Sequence, residues 1–265
     1  MKQLFEIIHE DSQFLVINKP AGLVCHPTKT DEYSSLIGRV RLYFGGHSQP
    51  QLINRLDRET SGITLIAKDP EVARRIRRLW EAHQVGKSYL AIVHGRVAQE
   101  HHIIAAPLGK DELSPVAIKD CVRSDGSESR TEFWLKAAFA KTSPSNHVDQ
   151  LESCRGGYYE SHQPAQIFSL LQVLPHTGRK HQIRIHLAYI GHPIVGDKLY
   201  GGDDDLYLAL VENRLTDRQR SKLILPHHAL HAAELRFDWD GVERVFRAEP
   251  ESWFKAFCST TNVPA

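Results

Sequence analysis

Thr177-Gly178-Arg179-Lys180-His181-Gln182-Ile183-Arg184-Ile185-His186 is the stretch from which the fold is best read. Between Arg179 and Ile190 the apolar residues Ile183, Leu187 and Ile190 fall at helical spacing, Gly191 is placed to end the helix, and Pro193 prevents its continuation. His181, Arg184 and Ala188 then share another face. Cations and amide donors crowd the start of this helix, where unpaired backbone N–H groups already favour anions, so phosphate or carboxylate binding is expected there.

Working outward, Phe168 to Val173 and Thr131 to Leu135 read as strands, and residues 139 to 165 between them carry Ser, Pro, Asn, Gly and Gln with little periodicity. An insertion is expected over 139 to 165. Ser88 to His94 reads as a strand with Lys87, Tyr89, Ala91 and Val93 on one face. Before it, Asp69-Pro70 is a helix start, and Val72, Ile76, Leu79 and His83 recur on one side with four arginines elsewhere, which predicts an amphipathic helix over 70 to 85. The N-terminal part reads as a hairpin, Leu4 to Ile8 and Phe14 to Ile17, leading into the loop Lys19-Pro20-Ala21-Gly22. The C-terminal part reads as a strand, Ala233 to Phe237, a hairpin at Asp240-Gly241 and a short helix near Trp253. Strands and helices mixed in this irregular order predict an α+β fold.

The 265 residues can form one domain with a substantial core. No apolar run approaches the roughly 20 residues of a membrane-spanning helix, so no membrane association is expected. Four dispersed cysteines, Cys25, Cys121, Cys154 and Cys258, outline neither a disulfide framework nor a thiolate metal site, which fits a cytoplasmic protein. The formal net charge is only +1, but it is segregated. Residues 51 to 100 hold nine Lys or Arg against six Asp or Glu, residues 171 to 200 hold four against one, and residues 201 to 217 reverse to one against five. Two basic stretches could follow a phosphate backbone; on charge alone a solvated charge mosaic is the favoured reading.

Chemistry concentrates in Asn54-Arg55-Leu56-Asp57-Arg58-Glu59-Thr60-Ser61-Gly62, a connection between the short strand Gln51 to Ile53 and the apolar strand Ile63 to Ala67. A carboxylate flanked by Arg55 and Arg58 stays ionised and can serve as nucleophile or general base; a surface salt bridge is the commoner use of such a turn. Tyr89, beside Lys87, reads either as a packing tyrosine or as an acid, base or stacking surface. The histidines raise the question of a metal. His181 and His186, five apart, would point to different helix faces, and His227, His228 and His231 lack an accompanying carboxylate of zincin type, so no metal is expected.

Taken together these segments resemble the RluA family of pseudouridine synthases. Asn18-Lys19-Pro20-Ala21-Gly22-Leu23 with His26-Pro27 is similar to its opening loop, and Arg55-Leu56-Asp57 with Thr60-Ser61-Gly62 to its catalytic motif. Lys87-Ser88-Tyr89-Leu90-Ala91 resembles the motif that supplies the active-site tyrosine. His181-Gln182-Ile183-Arg184, His186, Gly191, Pro193-Ile194, Gly196-Asp197 and Tyr200-Gly201 match its longest motif, and His231-Ala232 with Leu235 and Phe237 its last. One departure is Asn54, where the family usually has His.

The resemblance implies a largely antiparallel mixed central sheet flanked by helices, with the active-site cleft across it. It also implies a single catalytic domain over residues 1 to 265, without a separate N-terminal RNA-binding domain. The implied activity isomerises uridine in large-subunit ribosomal RNA or transfer RNA to pseudouridine, in a monomer that needs no cofactor, because the reaction has no net redox change and no entering group. Asp57, Tyr89 and Arg184 are the implied catalytic residues, with Arg184 holding Asp57 ionised. Arg55, Arg58, Thr60, Lys19, Lys87, Arg179 and His181 are implied to meet RNA or substrate, Arg55 by filling the space that an extruded base leaves. A non-catalytic RNA-binding module and a metal-dependent hydrolase are the competing classes.

Overall fold

The computed structural model describes residues 5–27, 34–45, 49–141 and 165–259. Its first half runs β1 (Glu6–Glu10), β2 (Phe14–Lys19), α1 (Leu36–Tyr43), β3 (Gln51–Leu52), β4 (Ser61–Ala67), α2 (Pro70–Glu81) and β5 (Gly86–His94). There follow β6 (His101–Ala105), β7 (Leu108–Lys110), β8 (Asp120–Val122), β9 (Arg130–Lys141) and β10 (Gln166–Pro175). The chain then continues through α3 (Gln182–Tyr189), α4 (Asp205–Val211), α5 (Asp217–Leu223), β11 (Leu230–Trp239), β12 (Val242–Arg247) and α6 (Ser252–Cys258).

One large sheet dominates, in the order β1-β2-β4-β11-β5-β10-β9-β6, with β3 added to β4 and β12 to β11. The β4–β11 pairing is parallel and the remaining pairings of this sheet are antiparallel, so the fold is α+β with a mixed, largely antiparallel sheet. Period-2 side-chain alternation divides the core between the two faces. Phe14 and Val16 of β2, with Ile63 and Leu65 of β4, pack under α2 against Ile76 and Trp239, whereas Leu15, Ile17 and Ile66 pack on the opposite face against Leu36 and Val40 of α1. Because both faces are covered, β2 and β4 are buried along their whole lengths, which is why both read as unbroken apolar runs. A further cluster around Val93, Phe133, Phe168, Leu187 and Phe254 builds the other half of the sheet.

Several boundaries differ from the sequence reading, each for a local reason. The helix expected over 70–85 ends at Glu81, since His83 takes a left-handed backbone (φ 57°) and the amides of His83 and Gln84 close back onto the carbonyls of Trp80 and Leu79. The strand expected over Thr131 to Leu135 continues to Lys141. A register shift between Leu170 and Leu171 of β10, opposite residues 135–137, breaks the alternation from which its end was read. Residues 139–141 are therefore strand, not insertion, and the remainder of the expected insertion, 142–164, lies outside the described residues. The helix read from Arg179 starts at Gln182, after a left-handed His181 (φ 55°). Helices α1, α4 and α5 escape the periodicity reading because each is only seven or eight residues long. The Asp240-Gly241 turn, by contrast, joins β11 to β12 as read, with both residues at positive φ as a two-residue hairpin turn requires.

Gly62 decides how closely the catalytic connection approaches the sheet. It has φ +109°, and a Cβ there would lie 2.3 Å from the Ala232 carbonyl oxygen and 2.6 Å from its nitrogen, at the parallel β4–β11 contact. A side chain would force these strands apart directly after the loop that carries Asp57. Gly62→Ala is expected to lower the unfolding free energy by roughly 2 kcal/mol or more. Gly178→Ala, which meets nothing within 4 Å, should stay within about 0.5 kcal/mol of the parent. Equilibrium denaturant unfolding of both variants checks this.

Candidate active site

The sequence connecting β3 to β4 folds as a short, tied loop. The Thr60 amide donates to the Asp57 carbonyl (3.2 Å), closing a turn that lifts the Asp57 side chain to the floor of a cleft of about 300 Å³. Asn54 anchors one end of the loop, its Nδ2 donating to the Ile63 carbonyl (2.9 Å) and its Oδ1 accepting from the Leu65 amide (2.7 Å). The residue that departs from the family pattern thus serves as a tie to the edge of β4.

The opening loop supports this connection from below. Lys19 is fully buried and donates to the carbonyls of Pro20, Leu23 and Arg58 at 3.0, 2.8 and 3.2 Å. Burial pulls its pKa down to about 8, against the opposing charge of Cys25, Asp57 and Glu251. Gly22 and Arg58 exchange backbone and side-chain hydrogen bonds, and the Cys25 thiol meets both the amide and the carbonyl of Leu56. Lys19 and Arg58, read from sequence as RNA contacts, are placed as ties between two loops rather than in the lining of the cleft.

Arg184, the third residue of α3, crosses to Asp57. Its Nη1 donates to Asp57 Oδ2 at 2.8 Å, while its Nε and Nη2 make a bidentate pair with Asp197 at 2.7 and 2.8 Å, and the guanidinium lies 5.0 Å from the Tyr200 ring centre. The side chains of Arg184 and Asp197 are 8% and 0% exposed, against 30% for Asp57. The Asp197 end of the network is therefore enclosed and the Asp57 end faces the cleft. Burial opposes ionisation of Asp57, but the charge of Arg184 holds its pKa below the ordinary carboxylate value. Asp197 is also held well below the ordinary carboxylate value: burial opposes its ionisation, but Arg184 and backbone amides outweigh that cost. The cation that keeps Asp57 charged is thus Arg184, remote in sequence, while its neighbours Arg55 and Arg58 are exposed.

One carboxylate oxygen of Asp57 is committed to Arg184, leaving Oδ1 facing the cleft, 3.8 Å from His181 Nε2. His181 Nδ1 in turn meets the Tyr200 hydroxyl (2.9 Å), and burial pulls the imidazole's pKa down, so it faces Asp57 as a neutral group. Tyr89, from β5, lines the same cleft; burial and the nearby Asp57 charge both raise its phenol pKa, so the hydroxyl stays protonated. Thr60, Lys87, Arg55 and Arg179 also line the cleft, Arg179 with its Nε on the Glu128 carbonyl (3.1 Å). Eight of the ten residues singled out from sequence are gathered here, and Lys19 and Arg58 are not.

Two supports were not singled out beforehand. Asp197 lay inside a recognised motif without an assigned role; Gly196-Asp197 followed by Tyr200 was the available signal. The second is a buried group in which Glu59 takes Lys198 Nζ (2.9 Å) and faces His228 Nδ1 at 3.6 Å, while His228 Nε2 and the Thr60 hydroxyl are 2.7 Å apart. Burial and the Arg184 charge push His228 down to about 4, and Glu59 lies at about 2 because His227, His228 and Lys198 outweigh its burial. The histidines considered as metal ligands have separate partners: His186 bonds Thr131 and the Ala106 carbonyl, and His231 bonds Ser61 and the Ala248 carbonyl.

A family model described as RNA pseudouridylate synthase matches residues 13–189. tRNA pseudouridine synthase C of Vibrio vulnificus is 32% identical over 259 residues, which is 96% of this chain and 94% of that protein. Ribosomal large subunit pseudouridine synthase D of Zymomonas mobilis is 30% identical over 239 residues, 88% of this chain. The chain spans 64% of that protein's length, and 55% of an RNA pseudouridine synthase of Aquifex aeolicus that is 34% identical over 202 residues. Among solved structures, human RNA pseudouridylate synthase domain containing 1 superposes with a TM-score of 0.68 at 21% identity, covering 98% of this chain and 97% of that one, a likeness of fold. A family match over two thirds of the sequence, relatives matched nearly end to end, and one cleft that gathers Asp57, Tyr89 and Arg184 lead to a single conclusion: this chain belongs to the RluA family of pseudouridine synthases.

Proposed function

We propose that this chain isomerises uridine in folded RNA, either transfer RNA or large-subunit ribosomal RNA, with Asp57 as the catalytic carboxylate. The observation that carries the catalytic assignment is the Asp57–Arg184 pair, which leaves one carboxylate oxygen open to a cleft of nucleoside size. Relatives of both substrate classes are similarly close, with tRNA pseudouridine synthases C of two Vibrio species at 32% and 31% identity and a ribosomal large subunit pseudouridine synthase D at 30%, so transfer RNA and large-subunit ribosomal RNA are the two candidate substrates.

Pseudouridine formation breaks the bond between C1′ and uracil N1, turns the base and joins C5 to C1′. Asp57 can supply negative charge to the electron-poor C1′ by covalent addition, or take a C2′ proton; both uses need it ionised. Arg184 orients the carboxylate and keeps it charged without neutralising its free oxygen. The rejoined ring must lose its C5 proton while N1 gains one, so the balance of atoms requires no other reagent. Tyr89, protonated and held by the core, offers a flat surface for the uracil while it turns. A stacked uridine must leave its helix to reach Asp57, at a cost of a few kcal/mol that is smallest in loops. Arg55 lines the cleft and is exposed, which supports a role for it in filling the gap.

Carbodiimide mapping of unmodified transcripts after incubation with purified protein tests the assignment. Asp57→Asn is expected to cost about 10²- to 10⁴-fold in rate or more, and the parent protein's product, mapped in transfer RNA and in large-subunit ribosomal fragments, identifies which of the two is its substrate. RNA binding by the parent protein without any product would mean a non-catalytic binding module. Tyr89→Phe keeps the ring and should lose far less activity than Tyr89→Ala, in single-turnover assays on the same RNA.

A third outcome concerns pH. A folded-state pKa below the ordinary carboxylate value keeps Asp57 ionised throughout the neutral range, so the parent should lose activity only in more acid solution than an unpaired aspartate would require. Arg184→Gln removes the stabilising charge but not the burial, so the Asp57 pKa should rise and the acid limb of kcat/KM should move up by about 1–3 pH units. An unchanged acid limb would dismiss Arg184 as the group that sets the charge of Asp57.

A further inference from the structure

The cleft extends past the catalytic triad along β5. Lys87 and Tyr89 are two residues apart and point to the same face, about 7 Å from each other along the strand. Beside Lys87 stands Trp80, from the last turn of α2; both line the cleft, and the Lys87 ammonium lies 5.5 Å from the indole ring centre. Trp80 is half-buried against the core under α2 and lines the cleft, so its ring is held in place with part of its surface open. Arg77, one turn earlier, shares its side of the helix, and Arg78 follows. Arg74 is paired with Glu71 and Arg75 with Asp240, whereas Arg77 and Arg78 are exposed.

We propose that Trp80 and Lys87 form a second nucleotide station, on which the base adjoining the target uridine stacks, and that Arg77 and Arg78 carry the RNA backbone away from it over α2. The proposal rests on the reading of the cleft as a uridine site. A uridine drawn down to Asp57 pulls its neighbour out of the helical stack, and an indole with a cation beside it restores both the lost stacking and the phosphate counter-charge at that spot. The spacing along β5 suits it: Tyr89 takes the target base, and the next station lies one residue pair up the strand. Stacking on an aromatic face tolerates any base, so this station supplies affinity and register while the identity of the flanking nucleotide stays free.

Equilibrium binding to an unmodified transfer RNA transcript, with Asp57→Asn protein so that the complex persists, tests the station. Adding Trp80→Leu, which keeps apolar bulk but has no ring, should weaken binding about tenfold with little change in salt dependence, while Trp80→Phe stays within about threefold. Arg77→Ala with Arg78→Ala should weaken binding and reduce the slope of log Kd against log salt by about 1–2. Indole emission should be quenched by a short single-stranded oligonucleotide in the Asp57→Asn protein and not after Trp80→Leu. Wild-type affinity and undiminished quenching in a Trp80→Leu protein with an unaltered thermal midpoint would overturn the station. Absence of pseudouridine from reactions of the parent protein would instead overturn the underlying reading of the cleft.

Discussion

Arg184 bridges two carboxylates that differ in what they are free to do. Asp197, wholly enclosed, binds two of its nitrogens and is itself held by the amides of Leu199 and Tyr200. Asp57, at the surface of the cleft, binds the third. An ion network of this kind is a poor source of stability, since apolar residues of equal volume often serve as well or better. What it provides is direction. The guanidinium is planar and its bidentate contact with Asp197 leaves one remaining donor in a set position, so the carboxylate of Asp57 is oriented by groups that take no other part in the chemistry.

Many of the polar residues around Asp57 can be read as answers to that demand. The loop bearing Asp57 belongs to no helix or strand, so it is tied at each side: Asn54 to β4, Lys19 and Gly22 to Arg58, Cys25 to Leu56, Thr60 to His228. Buried backbone carbonyls that would otherwise lack donors are satisfied by these same side chains. The Glu59 group adds a second buried charge cluster beside the first, and the Arg184 charge keeps His228 neutral within it. Catalytic rigidity and loop satisfaction are met together.

The cleft has two unlike walls. One is β5 with the end of α2, contributing rings and an ammonium; the other is the 177–182 loop, closed on itself by Gln182, whose Oε1 accepts from the Thr177 hydroxyl and the Arg179 amide. The basic excess counted along residues 51–100 and 171–200 therefore falls on both sides of one opening. The acidic stretch 201–217 forms α4 and its flanks, where Asp204 binds Lys119 and Asp205 binds Arg214.

Local chemistry in the sequence determined which residues matter and where most elements lie. The Asp69-Pro70 start of α2, the Asp240-Gly241 hairpin and the Gly191 stop of α3 are short-range effects of capping, positive φ and a missing N–H, and such effects can be read without a fold. Lys19 shows the limit: residue order does not reveal that its ammonium is enclosed by the carbonyls of Pro20 and Leu23 in its own loop and of Arg58 in the loop that bears Asp57. The charge of Asp57 shows it again, because proximity in sequence pointed to Arg55 and Arg58 whereas the partner lies 127 positions away. Which cation meets which carboxylate depends on the packing of α3 against the sheet and on the parallel contact of Gly62 with Ala232, distances that residue order does not contain. Residue identity supplied the acids, bases and rings; the tertiary structure alone decided which are enclosed, and enclosure sets their charge and their role.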